Sequence, residues 1–165
     1  MSDLAPLLMV LDAATLVEAQ AYSSPTFRRW PHPPARSTNP CADALAVPLR
    51  RQQWGLALSE SILLDVATVL EDIWQLPPIV ITDYVDVLCG IAEFSGGGVY
   101  AVPTETPFGT GVPSWMHDVA RLILAVEADA AVVRYPKTPL AAGEWEGCWI
   151  ADPADFAARA HTIKP

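Results

Sequence analysis

The chain has 165 residues, is 52% hydrophobic and 18% charged, and carries a formal net charge of −9. That length suits one domain, and the composition excludes a disordered chain. The acidic balance argues against a surface built throughout for nucleic acid, and no uncharged apolar run approaches the ~18 residues of a membrane span.

Taken in order, Leu7-Leu8-Met9-Val10-Leu11 is a continuous apolar run ending at Asp12. Such a run suits a strand covered on both faces, as in a parallel sheet. A helix is expected from Ala13 to about Ala21. Pro25, Pro31, Pro33, Pro34, Pro40 and Pro48 then crowd one stretch, which reads as a long irregular insertion at about 24–54, with room for a short helix over Leu45 to Gln53. Trp54 to Leu58 predicts a second strand, and Ser59 caps a helix reaching about Gln75. Pro77-Pro78 breaks the chain, and a further helix starts at Thr82 or Asp83 and ends near Phe94. Ser95-Gly96-Gly97-Gly98 is a turn before a strand over Val99 to Val102. A helix follows from Pro113-Ser114 to about Glu127, then strands at Ala131 to Val133 and Cys148 to Ile150. Asp152-Pro153 starts a last helix, to about Ala160. Strands alternating with helices predict a single α/β domain with a central parallel sheet of four to five strands, helices on both faces, and three layers in all.

In open parallel sheets, ligands bind beyond the carboxyl ends of the strands. Asp12 ends the first strand. Asp65 and Asp118 lie in early turns of the helices after the second and third strands, each at the border of an apolar stripe at about 100° per residue. Three acids over one crevice repel: each pair costs on the order of 4 kcal/mol at 4 Å and an effective dielectric of ~20. Mg²⁺ or Mn²⁺ would offset that repulsion and suits phosphodiester hydrolysis. Each acid also has a plainer reading. Asp12 can cap its helix, Asp65 can be a solvated flank acid, and Asp118 can favour its helix N-terminus through the macrodipole.

The residues 10–17, VLDAATLV, resemble the opening motif of the PIN-domain ribonucleases, an apolar strand ending in Asp. Leu58 to Leu70 is similar to that family's second motif, with Asp65 in place of its usual Glu. Asp118 to Val133 looks like the third motif, and Ile150 to Phe156 like the closing strand and helix. The resemblance implies a five-strand parallel sheet and a metal-dependent endoribonuclease, often the toxin of a bacterial toxin–antitoxin pair and often a homodimer. Asp12, Asp65 and Asp118 would then be catalytic and would bind Mg²⁺ or Mn²⁺, with RNA as substrate and a cognate antitoxin as partner. The chain departs from the pattern in two places. Ala13-Ala14 follow the first Asp where the family often has a polar residue, and Arg134 to Thr138 holds no fourth acid. The alternative reading is therefore a catalytically degenerate PIN-like protein that binds a partner or RNA. An unrelated α/β domain with a small-molecule site at the same crevice is a third.

Five of the ten basic residues fall in the proline-rich stretch, where Asp43 is the only acid. Arg28, Arg29, Arg50 and Arg51, beside Phe27, Trp30 and Trp54, are candidates for contact with RNA, since arginine binds phosphate and aromatics stack on unpaired bases. The same residues serve equally to pair with the chain's excess acids, to pack beneath a loop, or to dock a partner. Cys41, Cys89 and Cys148 are widely spaced without a CxxC pair, which predicts free thiols in a reducing cytoplasm rather than a zinc site. Met1-Ser2-Asp3 lacks the basic-then-apolar order of a secretory signal. The triple glycine follows a helix and precedes no Gly-Lys-Ser/Thr, so it is not read as a phosphate loop, and His117 is read as an exposed helix histidine.

Overall fold

The computed structural model describes residues 5–27, 39–51, 53–103, 116–134 and 143–163, with the backbone alone over 21–27. It is an α/β fold. β1 (Leu7–Leu11), β2 (Trp54–Ser59), β3 (Gly98–Tyr100), β4 (Ala130–Val132), β5 (Gly143–Trp145) and β6 (Cys148–Ala151) form one sheet in the order β3-β2-β1-β4-β6-β5. The first five strands of that order run parallel, and only the β5–β6 pair is antiparallel. The helices are α1 (Ala13–Phe27), α2 (Pro40–Arg50), α3 (Glu60–Asp72), α4 (Pro78–Phe94), α5 (His117–Val126) and α6 (Pro153–Arg159). None of the described helices is long and apolar enough to cross a membrane.

The central strands are apolar because both faces are covered. Met9, Val10, Leu11, Leu56, Ala57, Leu58, Ala130, Ala131 and Val132 are all wholly buried. The register pairs Val10 with Ala57 on one side and Leu11 with Val132 on the other. The chain works outward from β1 through β2 to β3, then crosses to β4 on the far side. The switch point therefore lies between β1 and β4, where Asp12 leaves the sheet.

Part of the expected insertion is core. Asn39 caps α2 by accepting from the backbone N–H groups of Cys41 (3.0 Å) and Ala42 (3.3 Å), and Pro40 occupies the first turn, where its missing N–H costs nothing. Cys41, Ala42, Ala44, Leu45, Ala46 and Val47 are buried, and α2 packs against α1 and α6. The backbone of α1 also runs six residues past the expected end at Ala21. The proline count misled because Pro40 starts a helix. Pro48 lies in the last turn of α2, so it stops little of the helix. Similarly α4 begins at Pro78, earlier than expected, because proline suits a first turn.

β5 was not anticipated. Its hairpin with β6 turns through Glu146 (φ 51°) and Gly147 (φ 78°), a two-residue turn of the kind that matches the twist of antiparallel strands. The triple glycine has a steric cause. A Cβ on Gly97 would lie 1.9 Å from the Leu56 carbonyl oxygen, so the turn can rest against β2 only with glycine there. Ser95 completes that contact by accepting from the Leu56 N–H at 2.9 Å.

At the opposite, amino edge of the sheet, β2 is tied to the end of α6. The Trp54 indole N–H donates to the Ala160 carbonyl at 3.1 Å, and its ring meets Phe156 edge-on at 5.2 Å. Gln53 donates to the carbonyls of Ala160 and Ile163, both at 3.1 Å.

Candidate functional site

Each of β1, β2 and β6 ends in a polar residue that caps the next helix. Ser59 Oγ accepts from the Ile62 N–H at 3.1 Å, and Asp152 accepts from the Asp155 N–H at 2.7 Å. Asp12 does the same for α1, taking the Thr15 N–H at 2.9 Å on Oδ1. Its Oδ2 accepts the Arg134 N–H at 3.2 Å, so one carboxylate ties the ends of β1 and β4 together. Asp12 is buried, at 3% exposure. Burial raises its pKa above the ordinary value, and the bonds from Thr15 and Arg134 oppose that rise.

The Thr15 hydroxyl is also buried. It lies near the Asp12 carboxylate, close enough to favour the charged form, but among the described residues has no partner in hydrogen-bonding geometry.

Asp65 and Asp118 are brought together. Asp65 sits in the second turn of α3 and Asp118 in the first turn of α5, and these helices pack on each other. Ser59 fixes the start of α3, while Val119, Leu122 and Ile123 seat α5 against β1 and β2. Asp118 lies close enough to the Asp65 carboxyl to disfavour its ionisation. The Asp65 pKa is pushed up to about 7, first by loss of water around its carboxyl and then by the Asp118 bond and charge. Asp65 is exposed as a residue, but the loss of water around its carboxyl, with Asp118 adding to it, sets its titration. Arg121 approaches Asp118 from one turn along α5, at 3.4 Å.

Asp12 is not among the groups that shift Asp65, and neither Asp65 nor Asp118 is among those that shift Asp12. Among the described residues, no group of three or more His, Cys, Asp or Glu side chains is placed to hold a metal ion. The structure thus assembles two of the three expected acids and gives the third a cap to make. The pair alone has the right donors for a hard cation. Mg²⁺ is commonly held by one or two carboxylates while keeping several waters.

Of the four candidate arginines, Arg28 and Arg29 lie outside the described residues. Arg50 and Arg51 are exposed at the end of α2, by the amino edge of β2. β2 runs six residues, about 17 Å at ~3.3 Å per residue, so these arginines stand at the opposite end of the sheet from Asp12 and Ser59. Sequence reasoning missed the groove that they line. Its signal was the helix of Asn39-Pro40 onward, which sets Asp43, Val47 and Arg50 on successive turns of one face.

Comparison with family models, curated proteins and solved structures found no match.

Proposed function

We propose that the chain is a metal-dependent endoribonuclease with a PIN-like, three-layer α/β/α fold, and that it acts in the cytoplasm. The observation that carries this reading is the Asp65–Asp118 pair. Two neighbouring carboxyl groups, in the second turn of α3 and the first turn of α5, make a site that a divalent cation would relieve. The five parallel strands also agree with what the resemblance implies.

Asp65 and Asp118 would hold Mg²⁺ or Mn²⁺. The bound ion supplies Lewis acidity, activating water and offsetting charge on the scissile phosphate. Asp65 must give up its proton to take the ion, so binding strengthens as pH rises through about 7. Asp12, through Arg134 N–H, sets the position of the chain leaving β4 at the switch point. RNA is the substrate in this reading, and a cognate antitoxin and a second copy of the chain are the partners.

A second reading has its own observation. Asp12 spends both oxygens on backbone N–H groups, and no three-acid group is assembled among the described residues. That arrangement fits a catalytically degenerate PIN-like protein that binds a partner or RNA.

Calorimetric titration with Mn²⁺ separates the two, alongside cleavage of a mixed single-stranded RNA. The nuclease reading expects binding in the wild type, its loss in Asp65→Asn and Asp118→Asn, and cleavage that follows binding. Wild-type protein that takes no Mn²⁺ and cuts no RNA would leave the binding reading.

A further inference from the structure

Exposed large apolar side chains gather where α3 turns into α4. Ile73 (73% exposed), Trp74 (38%), Ile79 (68%) and Val80 (37%) all lie there, with exposed Pro77 and Pro78 between them. Single exposed apolar residues are ordinary, but a contiguous group rimmed by polar ones marks a docking surface. The rim here has one sign. Glu71 and Asp72 precede the turn, and Asp83 and Asp86 lie one and two turns beyond Ile79 on the same face of α4. All four acids are exposed, and no lysine or arginine occurs anywhere between Arg51 and Arg121.

The backbone beneath these side chains is fixed. The N–H groups of Ile73 and Trp74 both donate to the Val69 carbonyl, at 3.0 and 3.2 Å. That of Leu76 donates to Leu70 and that of Val80 to Pro77, both at 3.0 Å. Leu76 also packs against the core and holds the turn down. A surface set in advance binds with less ordering cost, and tryptophan is among the residues that carry most binding energy at interfaces.

We propose that the α3–α4 turn docks a cationic amphipathic segment of another protein. Its apolar side chains would cover Ile73, Trp74, Ile79 and Val80, and its lysines or arginines would meet the four acids. Charge selects that occupant. Nucleic acid and an anionic bilayer bring more negative charge to a surface whose two helices hold no lysine or arginine. A second copy docking through the same face sets each acid against its own kind, because an isologous contact repeats one patch on both sides. A neutral apolar partner strips water from carboxylates without compensation. The inference needs neither metal nor RNA, so it stands apart from the nuclease reading.

The test uses a labelled peptide of about 18 residues, with leucine on one helical face and lysine on the other. Its fluorescence anisotropy is followed in EDTA as the full chain is added. Ile73→Ser/Ile79→Ser should bind about tenfold more weakly or worse, with melting temperature unchanged because both positions are exposed. Asp83→Asn/Asp86→Asn should bind several-fold more weakly at low salt and lose less affinity as salt rises. If the serine variant melts early, the asparagine variant decides alone, since it changes only exposed charge. Leu124→Ser/Glu146→Gln alters an exposed apolar residue and an exposed acid elsewhere, and should bind as the wild type does. The same peptide with glutamate in place of lysine should not bind.

Equal weakening in the Leu124→Ser/Glu146→Gln variant would show that any acid beside any apolar residue suffices, and the turn is then no site. Binding of the glutamate peptide as tightly as the lysine one overturns the occupant. So does uptake by phosphatidylglycerol vesicles that Ile73→Ser/Ile79→Ser abolishes. A dimer in sedimentation that the same variant dissociates assigns the face to a second copy and overturns the proposal. Unchanged peptide binding in both turn variants does likewise. Failure of Mn²⁺ binding at Asp65–Asp118, with peptide binding intact, would sink only the nuclease reading.

Discussion

The carboxylate of Asp12 accepts the backbone N–H of Arg134 at 3.2 Å, across the point where the sheet changes direction. The same side chain caps α1 through the Thr15 N–H. One buried residue thus joins the first strand, the first helix and the chain leaving the fourth strand.

Asp12→Ala should cost about 2–4 kcal/mol, combining a lost cap of about 1 with a buried N–H left unsatisfied. Asp12→Asn keeps an oxygen for the cap and should cost less than half as much. Urea midpoints of the two variants check this. Equal losses would show that the charge, rather than the capping oxygen, is what the fold uses.

Asp65 gives a pH signature. Its pKa is raised to about 7, well above the ordinary carboxyl value, so the folded state holds a proton that the unfolded chain releases. Wild-type stability should therefore fall as pH rises from about 4 to 7, and the deficit should be complete above 7. Because Asp65 is exposed, solvent screening reduces the effect to on the order of 1 kcal/mol. Asp65→Asn should match the wild type at pH 4 and exceed it at pH 8, and Mg²⁺ at millimolar concentration should close that gap by binding the ionised pair. Denaturation curves at the two pH values decide. A difference independent of pH would mean that the carboxyls do not meet.

Gly97→Ala should be among the most damaging single changes. Its new Cβ would fall 1.9 Å from the Leu56 carbonyl oxygen, and backbone cannot yield as a side chain end can. A loss of about 3 kcal/mol or more is expected. Gly90→Ala is the control, since a Cβ there meets nothing within 4 Å and the site is helical. It should be neutral or slightly stabilising by thermal melt.

Elements whose signals are local were legible in the residues themselves. The apolar runs at Leu7–Leu11 and 54–58 are read as strands because a continuous apolar run suits a strand covered on both faces, and Ser59 and Asp152 cap because their side chains reach N–H groups three residues on. Helical phase put Asp65 and Asp118 on stripe borders, which is where they meet. The tertiary structure alone decided what depends on long-range contact. Whether the prolines at 40 and 48 break or begin a helix depended on the α1 and α6 surfaces that receive α2. Asp12 reads alike as cap and as ligand until Arg134, 122 residues away, takes its second oxygen. The position of Arg50 and Arg51 likewise follows from the direction of α2. It runs toward the amino edge of β2, so its last residues face the end of α6 rather than the acids, and sequence spacing carries no information about that separation.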